Sequence, residues 1–138
     1  MDYKLKGKSV FISGSTSGIG LSTAELLIKE GAKVIINGRS AISVSDALDL
    51  IKSKYPVSKI SGIATDFSKP SEIHKLIKRL PDIDILINNV GIYESKTFFE
   101  IEDNEWHKQF EVNVMSGVRL SKYFLPQMLK KNWGRIIF

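Results

Sequence analysis

The chain alternates short apolar runs with longer stretches in which apolar residues return every three or four positions. Ser9 to Ser13, centred on Val10, Phe11 and Ile12, is an apolar run between polar ends and predicts a buried strand. Leu21, Ala24, Leu27 and Ile28 then follow a helical period that stops at Gly31, a residue suited to close a helix. Val34 to Ile36, closed by Asn37-Gly38, predicts a second strand. Val44, Ala47, Leu48 and Ile51 predict a second helix that breaks at Tyr55-Pro56. Ile60 to Ala64 reads as a third strand with a glycine inside it. Ser68 can cap a third helix whose stripe is Ile73, Leu76, Ile77 and Leu80, and Ile83 to Ile87 reads as a fourth strand. A long helical pattern covers about Asn104 to Lys130, and Arg135 to Phe138 opens a fifth strand.

Strands that alternate with helices call for right-handed crossovers and a parallel sheet covered on both faces, a doubly wound α/β fold. Neither a repeat nor a low-complexity linker interrupts the pattern, so residues 1–138 read as one domain. The long helix adds a detail of its own. Trp106, Phe110, Asn113, Gly117, Leu120 and Phe124 recur at spacings of four and three and so share one face, which places the amide of Asn113 inside an apolar stripe. A buried amide must find partners or cost about 1–3 kcal/mol. A bond to a neighbouring backbone group would supply them. A second stripe, Val114, Val118, Ser121, Leu125 and Met128, implies burial on two sides.

Composition narrows the functions. The absence of cysteine excludes disulfides, zinc fingers and thiol catalysis. Residues 1–6 have no apolar leader core and no run is long enough for a membrane span, so the expectation is a cytoplasmic protein without a membrane partner. The net charge of +5 raises nucleic acid as a partner, but the lysines and arginines are scattered without interleaved aromatics that could stack on bases. They read as solvated faces, and nucleic acid is not expected. A modest basic bias still favours a small anionic ligand. His74 and His107 fall off their helical stripes and suggest no metal site.

Between the first strand and first helix lies Ser13-Gly14-Ser15-Thr16-Ser17-Gly18-Ile19-Gly20. At such a junction, glycines let the backbone approach a pyrophosphate, and the helix start offers free N–H groups and partial positive charge. Ser15, Thr16 and Ser17 add hydroxyl donors. The glycine spacing is not that of the common G-x-G-x-x-G fingerprint, and a tight turn with a capped helix is the plainer reading. This turn, Ile36-Asn37-Gly38-Arg39-Ser40, Ala64-Thr65-Asp66-Phe67-Ser68, Ile85-Leu86-Ile87-Asn88-Asn89-Val90-Gly91 and Phe110-Glu111-Val112-Asn113-Val114-Met115-Ser116-Gly117 occur in one order. In that order they resemble the short-chain dehydrogenase/reductase family over Lys8 to Phe138. Ser13 and Val90 stand where the family usually has threonine and alanine.

The resemblance implies a Rossmann-like sheet of order 3-2-1-4-5 with helices on both faces. It also implies hydride transfer between a nicotinamide and a carbonyl or alcohol. Gly14, Ser15, Ser17, Gly18, Ile19 and Gly20 would then hold the dinucleotide. Asp66 and the backbone of Phe67 would meet the adenine, and Asn88 and Gly91 would line the nicotinamide side. No acid follows the second strand. A carboxylate there would repel a 2′-phosphate, whereas a guanidinium pairs with one, so Arg39 and Ser40 favour NADP, with NAD as second choice. Arg39 as a solvated turn residue and Ser40 as a helix cap is the alternative.

By resemblance Asn113 takes a catalytic part, kinking the helix and helping to hold a water in the proton relay. The second helix stripe would pack against another subunit of a homo-oligomer. Tyr55-Pro56-Val57-Ser58-Lys59 has the spacing of the family's catalytic tyrosine and lysine, but Pro56 separates a helix end from a strand start, and the junction lies at the amino ends of the strands. The resemblance places the catalytic serine and the tyrosine–lysine pair beyond Phe138. The expectation is therefore the cofactor-binding part of an oxidoreductase, unable to turn over alone and exposing an apolar edge at its fifth strand. A non-catalytic dinucleotide-binding or regulatory module is the alternative.

Overall fold

A computed structural model describes residues 3–138; Met1 and Asp2, part of the residue 1–6 segment read above for a leader, lie outside the described residues. Five parallel strands form one sheet: β1 (Ser9–Ile12), β2 (Lys33–Gly38), β3 (Ile60–Ala64), β4 (Ile85–Ile87) and β5 (Arg135–Ile137). Their order is β3-β2-β1-β4-β5, as the resemblance implies. Between them run α1 (Gly18–Lys29), α2 (Ala41–Lys54) and α3 (Pro70–Arg79). The helical segment after β4 comprises α4 (Asp103–Phe110), a π-helical turn (Glu111–Met115) and α5 (Ser116–Lys130).

The period of two along a strand decides which helix covers which face. Val10 and Ile12 of β1, with Val34 and Ile36 of β2, meet Ala24 and Ile28 of α1 and Ala47 and Ile51 of α2. The intervening Phe11 points to the opposite face, where it joins Leu86, Leu76 of α3, and Leu120 and Phe124 of α5. Reversal of strand order occurs at β1, whose neighbours are β2 and β4, and a crevice opens between their carboxyl ends.

Several boundaries differ from the pattern. Asn37 and Gly38 belong to β2 rather than to a turn, because their register with Ile63 and Ala64 of β3 continues. β4 starts at Ile85: Asp84 instead bonds both ways with Ser9, its N–H to the Ser9 carbonyl and its carboxylate to the Ser9 N–H. The cap of α3 is Lys69 with Pro70 behind it, and the Ser68 hydroxyl donates to Asp66.

The long helix departs furthest. Trp106 and Phe110 are about half exposed and α4 has no buried residue. The buried line is Val112, Ser116, Leu120, Phe124 and Met128, with Gly117 beside it. An extra residue in the π turn puts α4 and α5 out of step, so the stripe drawn through Trp106 and Phe110 does not continue into the core. Val114, Val118 and Leu125 of the second stripe are partly exposed, as are Ile137 and Phe138 at β5, the sheet edge among the described residues. No helix among the described residues is long and apolar enough to cross a membrane, and no cluster there could hold a metal. His74 and His107 are exposed.

Candidate functional site

The glycine turn is fixed from both sides by asparagines. Gly14 has φ +61°, and a Cβ there would lie 2.9 Å from the Val90 Cα, so both backbone conformation and space require glycine. The Gly14 N–H donates to Asn37 Oδ1 at 3.0 Å. Its carbonyl accepts from Asn89 Nδ2 at 2.7 Å, and the same amide reaches the Ser13 carbonyl at 3.2 Å. The Ser13 hydroxyl, buried, accepts from the N–H groups of Asn89 and Val90, each at 3.0 Å. Gly20 closes the arrangement: a Cβ would stand 2.6 Å from Asn89 Nδ2 and 2.7 Å from the Gly14 carbonyl oxygen.

What this framework leaves free is the start of α1. Ser17 is the N-cap residue but its side chain makes no capping bond, and the first backbone bond of the helix runs from Leu21 N to the Ser17 carbonyl. The preceding N–H groups keep their donor capacity and the positive end of the helix dipole. Beside them a cleft of about 760 Å³ opens, lined by Gly14, Thr16 and Ser17 and continuing past Gly38 to Arg39, Ser40 and Ser43. Ser40 caps α2, accepting from the Ser43 N–H at 3.2 Å. Arg39 is exposed and makes no ion pair among the described residues.

The cleft floor reaches Thr65, Asp66, Phe67 and Ser68. The Asp66 carboxylate accepts from the Ser68 hydroxyl at 2.7 Å and the Ser68 N–H at 3.0 Å, with the Lys69 ammonium at 3.6 Å. The Ser68 hydroxyl is the main cause that holds this carboxyl below the usual range, against the opposing effect of burial; the Ser68 N–H and Lys69 add to it. The far wall is Val90, Gly91, Ile92, Tyr93, Glu94, Lys108 and Val112. Glu94 lies near the Lys96 ammonium, 3.7 Å away. The cleft's charged groups without an ion pair among the described residues, Arg39 and Lys108, are therefore both cationic, which suits an anionic ligand.

Asn113 sits in the π turn and is exposed, not buried in a stripe. Its amide embraces the backbone of Ile92, Oδ1 accepting from the N–H at 2.7 Å and Nδ2 donating to the carbonyl at 3.0 Å. This is the backbone partnership that a structural role requires. A pocket of about 330 Å³ between Ile92–Glu94 and α4 adjoins the cleft and shares Lys108 with it.

The structure thus brings Gly14, Ser17, Arg39, Ser40, Asp66, Phe67 and Gly91 into one cleft. Ser15, Gly18, Ile19, Gly20, Asn88 and Asn113 do not line it. The Ser15 hydroxyl is buried and turned inward, donating to the Ile12 carbonyl at 2.7 Å, so it is no donor to the cleft. Ile19 is 80% exposed at the start of α1. Asn88 donates from Nδ2 to the Ser121 hydroxyl at 3.3 Å, and its buried Oδ1 has no partner among the described residues. Tyr55 packs with the α1–α2 core at the far end of the sheet, where α2 leads into β3. Sequence reasoning missed Asn37 and Asn89, which do most to hold the turn. The signal for both is an amide at the carboxyl end of a central strand, directly opposite the glycines.

Comparison with known proteins places these features in context. A sequence model described as short chain dehydrogenase matches residues 8–138. An uncharacterized oxidoreductase of Bacillus subtilis, YvaG, is 43% identical over 138 residues, covering 100% of this chain and 52% of that protein. A 3-oxoacyl-[acyl-carrier-protein] reductase of Vibrio cholerae is 38% identical, over 96% of this chain and 54% of its own length. The structure of L-sorbose reductase from Gluconobacter frateurii, complexed with NADPH and L-sorbose, superposes with a TM-score of 0.89 at 33% identity, covering 99% of this chain and 53% of that one. The chain spans about half the length of the curated relatives it matches.

Proposed function

The chain belongs to the short chain dehydrogenase family, and on that premise we propose that it binds NADP in preference to NAD for hydride exchange with a carbonyl or alcohol substrate. The observation that carries the reading is the continuous cleft from the uncapped start of α1 to Arg39, whose guanidinium has no ion pair among the described residues. The residues fit such a cofactor. Gly14 and Gly20 leave no room for side chains where the backbone must come close, and the cleft's charges without an ion pair among the described residues are positive.

In this reading, bound NADP supplies the redox-active nicotinamide. The N–H groups at the start of α1, with Thr16 and Ser17, hold the pyrophosphate. Arg39 and Ser40 receive the 2′-phosphate, and Ser40 keeps its capping bond to α2. Asp66 and Phe67 meet the adenine, and Gly91 borders the nicotinamide side, with Asn88 behind it. Asn113 holds the Ile92 backbone and, by family resemblance, helps to carry the proton relay. Val114, Val118 and Leu125 form the face that another copy of the chain covers.

The tyrosine and lysine that would complete such a relay are not found one helical turn apart in this chain. Tyr55 and Lys59 flank Pro56 at the opposite end of the sheet, and Tyr3, Tyr93 and Tyr123 have no lysine four residues later. We therefore assign to this chain the cofactor-binding share of the activity: NADP binding without turnover of a carbonyl substrate. Titration of the protein with NADP and NAD tests the reading. Tighter binding of NADP, lost in Arg39→Ala, is expected. Tighter binding of NAD, unchanged in Arg39→Ala, would overturn it, and turnover by this chain would overturn the assignment of shares.

A further inference from the structure

Asn37 is 1% exposed yet borders the cleft, and each of its four polar groups is committed. Its N–H donates to the Ser15 hydroxyl at 2.9 Å and its carbonyl accepts from the Ser15 N–H at 2.7 Å. Side-chain Oδ1 accepts from the Gly14 N–H at 3.0 Å, while Nδ2 donates to the Ile63 carbonyl of β3 at 3.0 Å. One residue therefore joins the glycine turn, the end of β2 and the end of β3. The next two residues along the chain are Gly38 and Arg39, at the ribose end of the cleft.

Resting on the dinucleotide reading above, we infer that Asn37 is a positioning residue that couples the pyrophosphate turn to the 2′-phosphate pocket. Gly14 is held in a left-handed conformation by partners on each side, and Asn37 is the partner that shares a strand end with Arg39. Its amide holds the two sites at a fixed separation, so a ligand that spans both meets them already aligned. A ligand that touches only one site gains nothing from this alignment. An amide of this length offers an acceptor to the Gly14 N–H and a donor to the Ile63 carbonyl at once, whatever the pH. An aspartate would set an oxygen against the Ile63 carbonyl when ionised, and would restore both bonds when protonated.

The experiment compares NADP with 2′-AMP, a probe that carries the 2′-phosphate but no pyrophosphate. In Asn37→Ala, affinity for NADP is expected to fall by about tenfold or more while affinity for 2′-AMP changes by less than about twofold. Asn37→Asp, measured against wild type at each pH, is expected to bind NADP weakly at pH 8 and to recover as the buried carboxyl protonates on acidification. Equal losses for both probes, no loss of NADP affinity, or no pH-dependent recovery in Asn37→Asp would each overturn the inference. A wild-type protein that binds NADP well under any of these outcomes leaves the dinucleotide reading standing. One that does not bind NADP at all overturns both.

Discussion

The two walls of the cleft are built on different terms. On the β1–α1 side, the hydroxyls of Ser13 and Ser15 and the amide of Asn37 are buried, and with Asn89 they hold the turn through bonds that water does not reach easily. On the β4–α4 side, residues 93–100 are exposed, and α4 buries nothing. That side is attached through the Asn113 amide, the ion pair of Lys96 with Glu105, and two capping boxes at Thr97 and Glu102. Unpaired polar groups are penalised heavily in the first environment and lightly in the second. The first wall has little room to vary, whereas the second can change residues at small cost. A wall that holds a constant cofactor beside one that meets a variable substrate would show this asymmetry.

The contrast breaks most directly at Gly20. Gly20→Ala drives a methyl group into the Gly14 carbonyl and the Ser15 Cα, at 2.7 and 2.8 Å, and backbone has to move. A loss of about 3 kcal/mol in denaturant unfolding is expected, together with loss of dinucleotide binding. Asn89→Ala strips the donor from the Ser13 and Gly14 carbonyls and should cost about 2 kcal/mol in the same measurement.

Across the cleft, Asn113→Ala removes two bonds of comparable length to the Ile92 backbone. Because water can replace them, about 1 kcal/mol or less is expected, with NADP affinity retained. A loss as large as that of Asn89→Ala would erase the distinction between the walls.

The smallest effect concerns Asp66 at the cleft floor. Its carboxyl titrates below the ordinary value when folded, so the stability it contributes is fully present above about pH 4 and is lost as pH falls through the folded value. Asp66→Asn should therefore narrow the drop in Tm between pH 6 and pH 3, and Ser68→Ala should do the same to a lesser degree. An unchanged acid limb in both variants would mean that the Ser68 hydrogen bonds do not favour the charged form.

How much of this could be read beforehand follows from what leaves a periodic trace. Alternation along Val10, Phe11 and Ile12 assigns strand and face at once, since each successive side chain enters a different core. The glycine turn, Arg39 and Asp66 announce themselves by residue type at strand ends, and they do meet in one cleft. The asparagines at 37 and 89 left no such trace, because an amide beside glycine reads as a turn residue until its partners are known. Ser15 misled in the opposite direction: a hydroxyl in a phosphate-binding motif reads as a donor to ligand, yet its neighbours Ile12 and Asn37 consume it. Nor does a period of 3.6 reveal a turn that departs from it, so Trp106 and Phe110 read as one stripe with a buried line that in this segment begins only at Val112.

That departure bears on how related chains can differ in length. Each α-helical residue advances the helix by about 100°, so the π turn acts as a phase step between α4 and α5. Deleting one residue within 111–115 would hardly shorten the segment. It would turn one half against the other. Leu120, Phe124 and Met128 key α5 into the sheet, so α4 would be the half to rotate, sweeping Trp106 and Phe110 around the axis and drawing Lys108 away from the cleft. A gap at this place in an alignment stands for rotation, not for missing length.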